Sequence, residues 1–139
     1  MVRRLRALGL RATAMDLATT PAPDGPYDTV ALLNVLDRCA RPLTLLDAAV
    51  DSLTAPGTLV VSMPLPYDPC WYDGPAARGP LERLSVGGRT WEDGAVTLAE
   101  TLERAGLTVQ AITRAPYLSG GDRHHPLYIL DAAVIVATR

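Results

Sequence analysis

Two short stretches of the chain are apolar at nearly every position, which is typical of strands buried on both faces of a sheet. They are "DTVALLNVL" at 28–36 and "TLVVSMPLP" at 58–66. Between them lies "PLTLLDAAVDSLTA", which begins at Pro42, a residue favoured at the first position of a helix. Its apolar residues fall on one stripe at helical spacing: Leu43, Leu46, Ala49, Val50 and Leu53. The pattern predicts a strand, a helix ended by "APG", and a second strand.

The chain before the first of these strands is less regular. Residues 2–9 predict the end of an amphipathic helix that stops at Gly9, and "LRATAMDL" at 10–17 alternates like a short strand. The following segment, "TTPAPDGPYD", is dense in proline, glycine and aspartate and predicts a loop. A second Pro/Gly-rich segment runs from Tyr67 to about Asp93, and one that long favours a functional loop, a lid or an element not recognised from its pattern.

The last part of the chain predicts one helix and two strands. Helical periodicity returns from Ala95 to Ala105 and stops at Gly106, and two β-like segments follow at 107–118 and 127–139. The connection "SGGDRHHP" is too short for the crossover that a parallel pair requires, so these strands should be antiparallel. We therefore expect residues 1–139 to form one α/β domain, with a mostly parallel sheet finished by an antiparallel hairpin.

Charge and cysteine content narrow the classes of function. Thirteen basic residues against 15 acidic ones leave no basic field for nucleic acid, so we expect no nucleic-acid partner. Arg11 and Asp16 interrupt the apolar positions after "MVRRLRALGL", and no apolar run approaches a membrane span, so we predict no leader and no membrane association. Cys39 and Cys70 lack CxxC spacing, which favours free thiols in a reducing compartment and a cytoplasmic location.

Polar residues interrupt the first buried strand at its carboxyl end. Asn34, the only asparagine of the chain, and Asp37 lie there. In open α/β sheets, ligands bind beyond the carboxyl ends of the strands, so both residues are candidates for a functional site. The structural alternative is that Asp37 orders the turn before Pro42 and that Asn34 satisfies nearby backbone groups.

Several segments resemble one family when they are read in chain order. They are "LNVLDRCARPLTLL", "APGTLVVSMPLPY", "TWED", "ERAGLTVQAITRAPYL" and "YILDAAVIV". Together they resemble the DREV, or methyltransferase-like nine, family, whose members methylate histidine side chains of proteins with S-adenosylmethionine. The similarity runs from about Met1 to Val136, and "LNVLDRC" is its specific part. The resemblance implies a Rossmann-like class I methyltransferase fold and a histidine-containing protein or peptide as substrate.

The resemblance also implies roles for individual residues. Asn34 and Asp37 match the residues that hold the target imidazole and are the candidate catalytic residues. Tyr117 and Tyr128 match tyrosines that line the substrate pocket, although ordinary packing would explain them equally well. A carboxylate such as Asp37 that accepts a hydrogen bond from one ring nitrogen would fix the tautomer and present the other nitrogen to the methyl group.

Two positions are candidates for binding S-adenosylmethionine. Asp16 stands where related methyltransferases often contact adenine, and the backbone near Leu33 lies at the carboxyl end of its strand. The alternative for Asp16 is an ordinary turn-forming residue. The adjacent His124 and His125 have no carboxylate or cysteine cluster at ligand spacing, so we predict no metal site.

Three aromatic residues border the long Pro/Gly-rich segment. Trp71, Tyr72 and Trp91 could grip a peptide, or they could serve as hydrophobic anchors for the loop. Both interpretations stay open at the level of the sequence.

The chain departs from the family in its cofactor-binding part. The family has a glycine-rich loop after its first strand and an acidic residue at the end of its second, and neither precedes "MVRRLR" here. Gly87-Gly88 and Gly120-Gly121 do not lead from a first strand into a helix. We therefore expect the carboxyl-terminal portion of a methyltransferase domain, lacking the first strand–helix–strand unit, with weak or no binding of S-adenosylmethionine by this chain alone. A late start codon, a gene fragment and a split protein are three alternative explanations.

The same departure gives an expectation about the sheet. In the strand order that the resemblance implies, the strand holding "TVALLNVL" would become an apolar edge, which invites aggregation or another chain that covers it. Three functions stay open: a protein-histidine methyltransferase, a small-molecule methyltransferase, and a non-catalytic fragment or interaction module.

Overall fold

The computed structural model describes residues 1–121 and 125–139. The elements are α1 (Val2–Ala7), β1 (Tyr27–Leu33), α2 (Pro42–Asp51), β2 (Leu53–Pro64), β3 (Trp71–Asp73), β4 (Ala76–Arg78), α3 (Trp91–Arg104), β5 (Thr108–Gly120) and β6 (Leu127–Thr138). In the part of the chain that the structure describes, no helix is both long and apolar enough to cross a membrane.

Four strands form the main sheet, in the order β1-β2-β6-β5. β1 and β2 pair in parallel, with Leu32 opposite Val61. β6 is antiparallel to both of its neighbours, β2 and β5. Three strands therefore run in one direction and only β6 runs in the other. This confirms the predicted α/β fold, with mostly parallel strands and a terminal antiparallel hairpin.

Helices α2 and α3 cover one face of the sheet and form the core with it. Their apolar stripes contact alternate residues of β2 and β6, because successive side chains of a strand point to opposite faces. The fully buried members are Leu46, Ala49, Leu59, Val61, Met63, Leu98, Leu102, Ala133, Ile135 and Ala137. Each buried leucine, isoleucine, valine or methionine of this set contributes about 1.5 to 3 kcal/mol when it leaves water.

Residues on the opposite face of the sheet are more exposed. Ala31 and Leu33 of β1 and Ala111 and Thr113 of β5 all belong to this face and are exposed, with Leu33 at 59%. β1 also forms one edge of the sheet, as expected from the resemblance.

The predicted strand at 10–17 is wrong. Residues 10–16 form no strand in the structure, and residues 17–19 form a turn. A strand needs a neighbour for its backbone hydrogen bonds, and none of the described strands pairs with this segment. The alternation of "LRATAMDL" was therefore not sufficient to place it in the sheet.

The predicted end of α2 also needs correction. The helix ends at Asp51, and Leu53 already begins β2, so "APG" belongs to the strand region. The Ser52 hydroxyl donates to the Ala48 carbonyl at 2.7 Å and helps to end the helix. Leu43, predicted on the buried stripe, is 39% exposed because it precedes the part of the helix that contacts the sheet.

The long Pro/Gly-rich segment is partly structured. It contains the two-stranded hairpin of β3 and β4, and it gives way to α3 at Trp91, before the predicted start at Ala95. A capping box explains the earlier start. The Thr90 hydroxyl accepts from the Asp93 backbone N–H at 3.1 Å, and the Asp93 carboxylate accepts from the Thr90 N–H at 3.2 Å.

Candidate functional site

A cavity of about 580 Å³ opens at the edge of the sheet where β1, β2 and β5 end. Residues from five separate parts of the chain line it: Asn34, Asp37, Arg38, Pro64, Tyr72, Tyr117, Ser119, Gly120, Gly121, Tyr128 and Leu130. All four predicted acceptor-site residues are in this set, although Asn34 and Tyr128 are far apart in the sequence. The structure therefore brings the predicted residues together. The cavity lies at the carboxyl ends of parallel strands, where ligands generally bind in open α/β sheets.

Asn34 is held in an unusual backbone conformation directly after β1. Its φ of 53° lies in the left-handed region, which asparagine tolerates better than most residues. The Asn34 N–H donates to the Ser62 carbonyl at 2.9 Å, and the Ser62 hydroxyl donates to Asn34 Oδ1 at 2.8 Å. These bonds occupy the amide oxygen and leave the side-chain NH₂ group as a hydrogen-bond donor at the cavity wall.

Asp37 is almost completely buried, with 3% of its surface exposed. Its Oδ2 lies 3.2 Å from Nη1 of Arg38, whereas its Oδ1 is buried without a hydrogen bond. Burial raises the pKa of the Asp37 carboxyl, and the positive charge of Arg38 partly opposes that rise. Buried polar atoms are normally paired, and among the described residues no donor is placed at this oxygen.

Tyr117 and Tyr128 reach the cavity because of the register between β5 and β6. Tyr117 is paired with Leu130 and Ser119 with Tyr128, so these four side chains share one face of the hairpin. Burial is the main cause that raises the pKa of Tyr117, and the charge of Asp37 adds to it. Its hydroxyl therefore keeps its proton at neutral pH.

The end of the same hairpin bears a histidine. The Tyr128 hydroxyl lies 3.5 Å from Nδ1 of His125, and the two rings are 5.5 Å apart. His124, which was predicted with His125 to form no metal site, lies outside the described residues. Within 1–121 and 125–139, no group of three histidine, cysteine or acidic residues is placed to hold a metal ion.

The three aromatic residues of the long segment separate into different environments. Tyr72 is 66% exposed and lines the 580 Å³ cavity, where it could contact a peptide. Trp71 donates from Nε1 to the Gly79 carbonyl at 3.0 Å. Trp91 packs against the core cluster and lies 5.1 Å below the Arg114 guanidinium, which makes it a hydrophobic anchor.

The two predicted cofactor residues have different surroundings. Asp16 lines a second cavity, of about 440 Å³, together with Cys39 and Trp71, and Leu33 is not among its lining residues. Asp16 Oδ1 accepts from the Ala18 N–H at 3.0 Å, which is the geometry of a turn-forming aspartate. Its predicted contact with adenine stays a prediction, and so does that of the backbone near Leu33.

The described residues fit S-adenosylmethionine only in part. A cavity lined by an aromatic side chain, Trp71, and an acidic one, Asp16, suits an adenosyl group. The glycine pairs do not complete the site, because Gly120 ends β5, Gly121 follows it toward β6, and Gly87-Gly88 come before the cap of α3. In the described ranges, therefore, neither glycine pair leads from a parallel strand of the main sheet into a helix, which is how this class of fold approaches a cofactor closely.

Sequence analysis missed two residues that shape the cavity. Arg38 pairs with Asp37, and Ser62 anchors the amide of Asn34. Ser62 is only 8% exposed, and its polar side chain in the apolar run "TLVVSMPLP" was the available signal. Arg38 gave a weaker one, because an arginine beside an aspartate is common on protein surfaces.

The family comparison supports the resemblance seen in the sequence. The family described as "DREV methyltransferase" matches residues 1–139. The chain belongs to the DREV methyltransferase family. This confirms the family predicted from "LNVLDRC" and the later segments.

Solved structures with similar folds agree with this family. The [4+2]-cyclase SpnF superposes with a TM-score of 0.60 at 14% identity, over 99% of this chain and 61% of that one. An S-adenosylmethionine-dependent methyltransferase from Thermotoga maritima gives 0.56 at 15% identity, over 99% and 68%. One from Aquifex aeolicus gives 0.53 at 14% identity, over 96% and 60%. The chain thus has the fold of such methyltransferases and spans about three fifths of the length of SpnF.

Proposed function

We propose that this DREV-family chain provides the acceptor site of a protein-histidine N-methyltransferase, with the target imidazole bound in the 580 Å³ cavity. The observation that carries the proposal is the Asp37 carboxylate. It is buried, keeps Oδ1 without a hydrogen bond, and lines the cavity together with the amide of Asn34. A neutral imidazole ring has one N–H that can donate to the Asp37 carboxylate, and its other nitrogen then keeps a free lone pair.

The chemistry of histidine fits such a site without a strong base. A neutral imidazole has one N–H donor and one nitrogen with a lone pair, and its reference pKa of about 6.5 leaves most molecules neutral at pH 7. S-adenosylmethionine, when bound, supplies an electrophilic methyl group on sulfur. In this proposal Asp37 accepts the ring N–H, which selects the tautomer and leaves the other nitrogen free to be methylated.

The remaining cavity residues support a flat aromatic acceptor. Tyr117 and Tyr128 lie on the same face of the β5–β6 hairpin and form one wall, and Tyr72 of β3 belongs to the lining as well. Stacked or edge-on aromatic contacts are worth about 0.5 to 1.5 kcal/mol each beyond the burial of their area. The side-chain NH₂ of Asn34 adds a donor for a substrate carbonyl.

The proposal can be tested by nuclear magnetic resonance titration of the chain with short peptides. A peptide with one histidine should shift resonances of the cavity residues, and the same peptide with alanine at that position should not. Asp37→Asn should weaken binding about 10-fold to 150-fold, because it removes a hydrogen bond to a charged group worth about 1.5 to 3 kcal/mol. The matched control is Asp47→Asn, on the exposed side of α2.

Two results would contradict the acceptor assignment. One is equal binding of the histidine and alanine peptides. The other is binding of the histidine peptide to Asp37→Asn with unchanged affinity. Strong binding of free imidazole or histidine together with no binding of the peptide would favour the small-molecule methyltransferase instead.

A second candidate function is an interaction module that another chain covers. It is favoured by the position of β1 at the edge of the sheet and by the exposure of Leu33, the last residue of that strand. Size measurement of the purified chain over a range of concentrations tests this candidate. A monomer whose resonances show no change when lysate proteins are added would contradict it.

A further inference from the structure

Arg38 makes all of its described polar contacts through one nitrogen. Its Nη1 lies 3.2 Å from Oδ2 of Asp37 and 3.1 Å from the Asp37 carbonyl oxygen. The same Nη1 donates to the Asp68 carbonyl at 2.8 Å and lies 3.6 Å from Sγ of Cys70. The guanidinium therefore joins the Asp37 carboxylate to the segment at 68–70.

A second bond connects the same two parts of the chain. The Cys70 N–H donates to the Asp37 carbonyl at 3.0 Å. Residue 70 immediately precedes β3, and β3 carries Tyr72 into the cavity wall. The side chain of Arg38 and the backbone of Asp37 are thus tied to the segment that leads into β3.

The two carboxylate oxygens of Asp37 have different surroundings, and this difference matters for a ligand. Arg38 engages Oδ2, and Oδ1 is the oxygen without a hydrogen bond. A carboxylate held through one oxygen cannot rotate freely, so its other oxygen keeps a fixed direction. Side chains in this arrangement are oriented before the ligand arrives, which reduces the entropy lost on binding.

We propose that Arg38 is a positioning residue, which holds the Asp37 carboxylate through Oδ2 so that Oδ1 is directed to the acceptor and which fastens β3 against the cavity. The inference deepens the proposed function and rests on it for the identity of the acceptor. Arg38 contacts no reacting atom in this assignment and acts through Asp37 and the segment at 68–70.

The other ionisable groups near Asp37 do not substitute for Arg38. Tyr67, Tyr117 and Cys39 are neutral in their ordinary form, and burial raises the pKa of each. Asp68 and Asp131 line an adjoining cavity with Asp37 and would repel its charge, and Asp131 is already paired with Arg114 at 2.5 Å. Among the described residues, only Arg38 forms an ion pair with Asp37.

The test combines three substitutions with two measurements. Arg38→Gln removes the charge, and Arg38→Lys keeps a cation with three donors, which is enough for contacts that all come from one nitrogen. Arg83→Gln is the matched control, an exposed arginine in the loop before α3. The first measurement is the titration of the Asp37 carboxyl, followed by carbon-13 nuclear magnetic resonance. The second is affinity for the histidine peptide from pH 5 to 9.

The expected results separate a positioning role from a merely structural one. In Arg38→Gln the Asp37 carboxyl should titrate at a higher pH than in the unaltered chain, and affinity for the peptide at pH 7 should fall about tenfold or more. Raising the pH should recover part of that affinity, because it ionises Asp37 again. Arg38→Lys should behave nearly like the unaltered chain, and Arg83→Gln should change neither measurement.

The outcomes also distinguish this inference from the proposed function. An unchanged titration of Asp37 in Arg38→Gln would overturn the positioning role, and so would a loss of affinity that Arg38→Lys fails to restore. A raised Asp37 pKa in a chain that binds no histidine peptide would instead contradict the proposed acceptor and leave the control of Asp37 by Arg38 supported.

Discussion

Replacing Asp37 with asparagine should stabilise the chain at neutral pH while it weakens binding of the acceptor. In the native state the carboxylate is 3% exposed and has one oxygen without a partner. Burial raises the pKa of the Asp37 carboxyl despite the opposing charge of Arg38, which means that the ionised form is held at a cost in folding free energy. Asparagine has nearly the same shape and carries no charge.

The size of the effect follows from two opposing contributions. An unsatisfied buried polar group costs about 1 to 3 kcal/mol, and more when it is charged. The ion pair with Arg38, whose side chain is 42% exposed, offsets at most about 1 kcal/mol of that cost. We therefore expect Asp37→Asn to raise the free energy of unfolding by about 1 to 2 kcal/mol at pH 7.

The difference in unfolding free energy between the two proteins should change with pH in one direction. Below the unfolded pKa of aspartate, about 3.9, the carboxyl is neutral in both states, so the two proteins should be nearly equally stable. Because the folded pKa is raised, the native state binds more protons just above that pH, and the unaltered chain loses stability as the pH rises through the folded pKa of Asp37. The advantage of the asparagine variant should appear over that interval and then stay constant.

Urea denaturation of both proteins at a series of pH values from 4 to 8 measures this difference directly. Groups that titrate identically in the two proteins cancel, so the difference isolates position 37. Asp47→Asn, on the exposed side of α2, is the control and should stay within about 0.5 kcal/mol of the unaltered chain. An Asp37→Asn variant that is less stable at pH 7, or a difference independent of pH, would refute the reasoning.

Three further predictions concern other parts of the chain. Asn34→Ala should lower the free energy of unfolding by about 2 kcal/mol, because alanine is strained in the left-handed backbone and the bond to Ser62 is lost. Asn34→Gly loses only the bond and should cost about 1 kcal/mol. Equal losses of the two variants in urea denaturation would contradict the role of φ. Thr90→Ala should cost about 1 kcal/mol through loss of the cap of α3, and an unchanged midpoint would show that the capping box contributes nothing. By calorimetry, the chain alone should bind S-adenosylmethionine weakly or not at all, and micromolar affinity would show that residues such as Asp16 build a complete cofactor site.

The sequence contained enough local information to predict most of the sheet and its helices. Two-faced apolar runs identified β1 and β2, and the short link between the last two strands fixed the antiparallel direction of β5 and β6. These features depend on side-chain periodicity and on the length of a connection, which are properties of the chain itself. The resemblance then supplied the family, which no periodicity could give.

The sequence failed where the outcome depended on partners distant along the chain. The alternation of "LRATAMDL" predicted a strand, but strand formation requires a neighbouring strand, and the described sheet provides none for it. The start of α3 was misplaced because Thr90 and Asp93 were not recognised as a capping box, although their types and spacing resemble that motif.

For the candidate site, the sequence determined which residues to examine, and the tertiary structure decided how they are arranged. Asn34 and Asp37 were named from their place at the end of a strand and from the resemblance, and Tyr117 and Tyr128 from the resemblance alone. Only the tertiary structure brings all four to one cavity. The Arg38 guanidinium and the Asp37 carbonyl are bonded to residues 68–70, so the surroundings of Asp37 depend on a segment that is distant along the chain. Such packing between distant segments determines which groups lose water, and loss of water sets the charge and direction of a carboxylate.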